Sequence, residues 1–322
     1  MTTKEQRPIG SGFGAAATAG EVLDGLDLTG RAALVTGGSS GLGLETVRAL
    51  SSAGARVIAP VRKADAARTA LAGAADVRLV DRFDLGDLAS VASAAEEIAG
   101  LVDRLDIVVA AAGVMATPSR PVGPGWDYQL SVNHLGHFAL IARLYPLLAA
   151  RGARVVVYSS AGHHASDIRW DDPHFLGGYD KWAAYGQSKT ANILFAAQLD
   201  VFGRQDGVRA FSLHPGKIMT GLQRDIAAEE LLALGWVDQD GKVLLPDLKT
   251  PSQGAATGLW AATSPALDGR GGLYLEDCDV ALLAEPNGSM DDGGVRPYAL
   301  DPGSAERLWR LTSAMTATDL VR

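Results

Sequence analysis

The chain has 322 residues, a length that allows about two domains or one large α/β unit. Hydrophobic residues make up 47% and charged residues 20%, which supports a large buried core and argues against disorder. The net charge of −8 gives no reason to expect nucleic acid or an anionic membrane as partner, and one cysteine, Cys278, excludes an internal disulfide and suits a reducing cytoplasm.

Residues 1–17 have early basic residues but no Leu/Val-rich stretch that could serve as a signal sequence, and they read as a mobile extension. Thr18 and Glu21 stand in capping-box spacing, which predicts a short helix before the first strand. From there, short apolar β-branched runs alternate with longer Ala/Leu-rich segments. Strands are expected at 31–36, 55–60, 77–83, 105–112, 153–159, 208–214 and 271–276. Helices are expected at 41–53, 63–72, 87–101, 127–149, 182–202, 251–263 and 301–313. This alternation predicts an α/β fold: a Rossmann-type doubly wound sheet of about seven parallel strands, in one domain over 18–322. The longest apolar run, Ile107 to Ala116, is too short to span a membrane. A soluble cytoplasmic protein, able to act as a homo-oligomer, is the expectation.

The first strand leads into "TGGSSGLG" and then a helix, with Gly37, Gly41 and Gly43 spaced G-x-x-x-G-x-G. Glycines let such a turn approach a pyrophosphate, whose charge the helix N-terminus stabilises. Gly37, Ser39, Ser40, Gly41, Leu42 and Gly43 are therefore expected to contact a dinucleotide. The second strand ends in "VIAPVRK", with Arg62 and Lys63 where an NAD site would carry an acid. A basic residue there accommodates the 2′-phosphate of NADP(H); the alternative is two solvated cations opening a helix. Asp84, followed by Leu85, stands after the third strand. It could accept from an adenine amino group or cap the next helix.

Residues 217–249 interrupt the alternation with the apolar "LLALGWV" and the turn "DQDG". A connection this long in a compact domain reads as a substrate lid. Met219, Leu232 and Trp236 could line a pocket there or simply pack the lid. Tyr185 and Lys189 lie four apart in "AAYGQSKTANILFAAQL" and share a helix face, where a cation would favour phenolate. His163, His164 and His174 lie with Asp171 and Asp172 in a stretch that reads as polar surface, and no metal is expected from them.

With "TGGSSGLG", "YSS" (158–160), "YGQSK" (185–189), "VNHLGHFAL" (132–140), "HPGKIMT" (214–220) and "GGLYLEDC" (271–278), the chain resembles the short-chain dehydrogenase/reductases. Within them it is similar to the retinol-dehydrogenase and WW-domain-oxidoreductase group, over roughly residues 18 to 313. The resemblance implies that Tyr185 is the general acid in carbonyl reduction and the base in alcohol oxidation. Lys189 would hold the nicotinamide ribose and keep the phenol pKa down, and Ser160 would bond the substrate oxygen. Asn133 would hold a helix distortion and a water. Pro215, Gly216, Ile218 and Thr220 would cradle the nicotinamide end, and Ala111 and Gly113 would pass the ribose. Family members usually carry Asn-Asn-Ala-Gly where this chain has "AAAG", Ala110 to Gly113.

The implied activity is metal-free hydride transfer between NADP(H) and a small-molecule carbonyl or alcohol. Reduction of an activated C=C bond on the same fold is a rival. A non-catalytic NADP-sensing or scaffold protein is another, which the set Asn133, Ser160, Tyr185 and Lys189 argues against.

Overall fold

The structure is a computed structural model and describes residues 6–320. It opens with α1 (Ala19–Leu23), β1 (Ala32–Thr36), α2 (Gly41–Ser52), β2 (Arg56–Pro60), α3 (Ala64–Ala70), β3 (Val77–Val80), α4 (Leu88–Ala99) and β4 (Ile107–Ala110). There follow α5 (Tyr128–Leu130), a π-turn (Ser131–Leu135), α6 (Gly136–Arg143), α7 (Tyr145–Ala149), β5 (Arg154–Tyr158) and α8 (Lys181–Gly203). The chain finishes with β6 (Arg209–Leu213), α9 (Ala228–Ala233), α10 (Pro251–Thr263), β7 (Leu273–Glu276), β8 (Asp279–Val280) and α11 (Pro302–Thr316). The predicted capping box is present, with Thr18 accepting from the Glu21 N–H and the Glu21 carboxylate reaching back.

One sheet runs β3-β2-β1-β4-β5-β6-β7-β8. The first seven strands pair in parallel and β8 pairs antiparallel with β7. The period-2 alternation of side chains divides the core. Leu34, Val108, Val155 and Val157 face Val91, Phe138, Phe195 and Trp309 on one side. Val35, Val109, Val156 and Phe211 face Leu50, Leu259 and Trp260 on the other. Chain order reverses between β1 and β4, so a crevice opens at the strands' carboxyl ends, where Gly37, Gly113, Ser160 and Pro215 all emerge.

Three features depart from the sequence reading. The eighth strand follows a two-residue hairpin in which Asp277 and Cys278 both have positive φ, 49° and 61°. Such turns usually advertise themselves with glycine. Here the fold imposes the conformation, with buried Cys278 donating its N–H to Thr257 Oγ1. The expected helix 127–149 is broken into a π-turn and separate α segments. Gly136, just past the π-turn, packs so tightly on the Leu85 carbonyl that no Cβ fits. Finally, residues 6–17, read as part of a mobile extension, are tied to the sheet edge: Gln6 is buried and Asp279 accepts from the Ile9 and Gly10 N–H groups. Residues 1–5 lie outside the described residues. No described helix is long and apolar enough to cross a membrane.

Candidate active site

A cavity of about 1280 Å³ occupies the crevice, walled by the carboxyl ends of the strands and by residues 217–249. Tyr185 and Lys189 enter it from the first turns of α8, which Asp180 caps by accepting from the Trp182 and Ala183 N–H groups. Ser160 follows β5 and also lies on the wall. Its Oγ accepts from the Gly162 N–H at 3.0 Å, which leaves its own hydroxyl hydrogen for another acceptor. Gly162 is obligatory there, because a Cβ would come within 2.7 Å of the Tyr185 ring.

Lys189 Nζ donates to the Tyr158 carbonyl at 3.1 Å and lies 5.5 Å from the centre of the Tyr185 ring. Burial pushes the Tyr185 phenol up to about 12, with the Ser160 hydroxyl countering. This is opposite to the direction expected from the Tyr–Lys spacing. The phenol loses hydration that the ammonium, engaged with a backbone carbonyl, does not replace. Burial likewise lowers Lys189 to about 8.

Asn133 does not line the cavity but braces it. Its Oδ1 accepts from the Val114 N–H at 2.9 Å, and its Nδ2 donates to the Val114 carbonyl at 3.0 Å and Ser188 Oγ at 2.8 Å. Ser188 in turn donates to the Tyr185 carbonyl at 2.7 Å. The side chain thus joins the π-turn, the loop after β4 and the Tyr185 helix. His137, one turn on, bonds the Asn133 carbonyl through Nδ1 at 3.0 Å and Thr36 Oγ1 through Nε2 at 2.9 Å. Thr36 Oγ1 also accepts from the Ala112 N–H at 3.1 Å, so β1 and the "AAAG" loop are tied without any side-chain amide from that loop.

The crevice fits a dinucleotide on its own geometry. Gly37 and Gly41 have φ of 73° and 54°. Gly43 packs directly on the Gly37 carbonyl, with no room for a Cβ. Ser40 caps α2 without a side-chain hydrogen bond, leaving that helix's first N–H donors for an anion. Ser39, Ser40, Leu42, Leu85, Ala111, Pro215 and Ile218 share this wall, as does Thr220, whose methyl would lie 3.7 Å from a Gly41 Cβ. A Cβ on Gly113 would stand 3.1 Å from Asn133 Oδ1 and 3.7 Å from Lys189 Nζ.

Arg62 is exposed on the wall at the end of β2, whereas Lys63 lies off it as the cap residue of α3. Asp84 is on the wall and its Oδ1 accepts from the Gly86 N–H, while Asp87 caps α4. Gly216, with φ 98°, meets the Lys249 side chain where a Cβ would go.

Residues 217–249 pack Ile226, Leu222, Leu231 and Trp236 against Tyr185, Met115 and Trp182. Trp236 is on the cavity wall; Met219 and Leu232 are not. The His-rich stretch is more internal than expected. His163 is fully buried, its Nδ1 bonded to the Ser160 carbonyl and its Nε2 accepting from the Arg296 N–H. Among the described residues no cluster of potential ligands could hold a metal ion. Sequence reasoning missed Met115, Trp182, His214, Lys249 and Glu276 on the wall, because each reads as an ordinary core or surface residue.

The family model described as short chain dehydrogenase matches residues 31–231. A "Probable oxidoreductase" of Streptomyces lividans is 48% identical over 88% of this chain and 97% of its own. Human "Retinol dehydrogenase 12" is 33% identical over 89% of this chain and 86% of its own. Among solved structures, an uncharacterized protein from Mycobacterium paratuberculosis aligns with TM-score 0.71 and 29% identity over 95% of this chain and all 100% of that one. The Pseudomonas aeruginosa RhlG/NADP active-site complex aligns with TM-score 0.60 and 27% identity over 77% and 95%.

Proposed function

This chain belongs to the short-chain dehydrogenases, and from that premise we propose that it is an NADP(H)-dependent oxidoreductase acting on a carbonyl or alcohol of a hydrophobic small molecule. One observation carries the reading: the Ser160 and Tyr185 hydroxyls and the Lys189 ammonium share a cavity with a glycine turn and an uncapped helix N-terminus. The structural neighbour RhlG of Pseudomonas aeruginosa is an NADP complex, and Arg62 stands on the wall where a 2′-phosphate would be met.

When bound, the nicotinamide supplies or accepts the hydride. Ser160, whose hydroxyl also faces the Tyr185 phenol, would offer its hydrogen to the substrate oxygen. With its pKa pushed up to about 12, the Tyr185 phenol is protonated at neutral pH and stands ready to donate to that oxygen in reduction. In oxidation the alcohol proton would go to the same oxygen only in its deprotonated, phenolate form, so oxidation calls for higher pH than reduction. Lys189 places a cation beneath the phenol ring and the ribose-side loop at Gly113, and the aromatic and aliphatic lid residues keep water from the reacting atoms. The test is NADPH consumption against a panel of aldehydes and ketones that includes bulky hydrophobic members. Absence of turnover across the panel, with NADPH bound, would favour a binding role over an enzymatic one.

A further inference from the structure

Residues 6–17 do more than lead into the first helix. Gln6 is 3% exposed and uses its whole amide: Oε1 accepts from the Tyr274 N–H at 3.0 Å, and Nε2 donates to the carbonyls of Tyr274 at 2.7 Å and Ala281 at 2.8 Å. Three residues on, the Asp279 carboxylate accepts from the N–H groups of Ile9 at 2.8 Å and Gly10 at 2.9 Å. The segment then runs from the β7–β8 edge to the start of α10 at the rim of the crevice. There a turn closed by the Ala17 N–H on the Gly14 carbonyl presents Ala15 and Ala16 to the cavity. Its far end is pinned to the start of α10, where Gln253 Nε2 donates to the Ala16 carbonyl at 3.2 Å and Ser252 Oγ accepts from the Ala19 N–H at 3.2 Å. Ala15 and Ala16 therefore share a wall with Gly41 at the start of α2, Thr220 and Gln253, the part of the crevice suited to a diphosphate.

We propose that residues 9–17 are an outer wall of the dinucleotide site, a strap that Gln6 and Asp279 hold across the diphosphate groove. The proposal rests on the dinucleotide reading above. Two methyl side chains carry no charge to the groove, so the strap retains the dinucleotide by shielding it and does not discriminate a 2′-phosphate. Its anchoring hydrogen bonds involve none of Ser160, Tyr185 or Lys189, so it acts on binding and not on proton transfer.

The experiment compares the full-length wild type with Gln6→Ala and with Gln6→Ala/Asp279→Ala. Dissociation of NADPH and of NADH is followed by stopped-flow fluorescence, and amide exchange of residues 10–17 is measured with and without saturating NADPH. The strap predicts faster release and weaker binding by about tenfold in the double variant, by the same factor for both dinucleotides. It also predicts that NADPH slows exchange over 10–17 in the wild type, a readout that survives if a variant fails to fold. Unchanged release from a variant whose segment has lost protection, or no effect of NADPH on exchange over 10–17, would overturn the strap alone. A wild type that binds neither dinucleotide would overturn the dinucleotide reading with it.

Discussion

Replacing His137 with leucine should unfasten the β1–π-turn link at a calculable cost. The Asn133 carbonyl can only accept, so the ring proton sits on Nδ1 and the bare Nε2 accepts from the Thr36 hydroxyl. Burial holds the ring neutral, lowering its pKa to about 4. Leucine keeps the volume and removes both bonds. A buried polar group that loses its partner costs about 1–3 kcal/mol. Thr36 keeps the Ala112 N–H and falls at the low end, so the variant should lose roughly 2–4 kcal/mol of a total stability on the order of 5–15. Glutamine, which offers an N–H and a carbonyl, should recover part of that loss. Urea denaturation of the wild type, His137→Leu and His137→Gln measures it. A leucine variant within about 0.5 kcal/mol of wild type, the range of an ordinary surface change, would show that the His137 bonds do not hold β1 to the π-turn.

Three further outcomes follow from the geometry. Arg62→Asp should reverse a preference for NADPH over NADH, which one charge-assisted hydrogen bond of about 1.5–3 kcal/mol makes on the order of 10–150-fold, less where solvent screens it; equal wild-type affinities for the two dinucleotides would refute the phosphate-site role. Stability should fall as pH drops from 6.5 toward 4, because burial lowers the folded-state pKa values of His134, His137, His163 and His214 to about 3–4, so the unfolded chain takes up these protons first. Asp127 and Glu276, raised by burial to about 6 and 7, work in the opposite direction by binding protons in the folded state, but the buried histidines outnumber them; equal melting temperatures at pH 7 and 5 would contradict it. Glu230→Ala should loosen residues 217–249, since Glu230 pairs with Lys181 and accepts from Trp182 Nε1 at 3.1 Å; faster amide exchange over 222–240 is expected, and unchanged exchange would show that this pairing does not hold the segment.

The parallel strands were legible because buried β-branched runs such as Val155 to Val157 are bounded by turns and separated by helical periods. The glycine turn after β1 was legible because few residues other than glycine tolerate the backbone of Gly37 and Gly41. What escaped depends on contacts between distant segments. The Asp277–Cys278 hairpin is held by Thr257, and the anchoring of Gln6 depends on Tyr274 and Ala281. The direction of the Tyr185 pKa also escaped, because spacing reports that a lysine is near and says nothing of burial or of the Tyr158 carbonyl that holds it. Lys63 shows the same limit: adjacent in sequence to Arg62, it lies off the cavity wall as the cap residue of α3.

If Tyr185 exchanges a proton with the substrate oxygen, the dinucleotide site should stand independently of it. The direct measurement is single-turnover carbonyl reduction by Tyr185→Phe, with NADPH binding measured on the same preparation. Binding should stay close to wild type while the rate falls by at least the roughly 10²–10⁴-fold that general acid–base catalysis contributes. A phenylalanine variant that binds NADPH and turns over within about tenfold of wild type, where chemistry limits the rate, would contradict proton exchange by Tyr185.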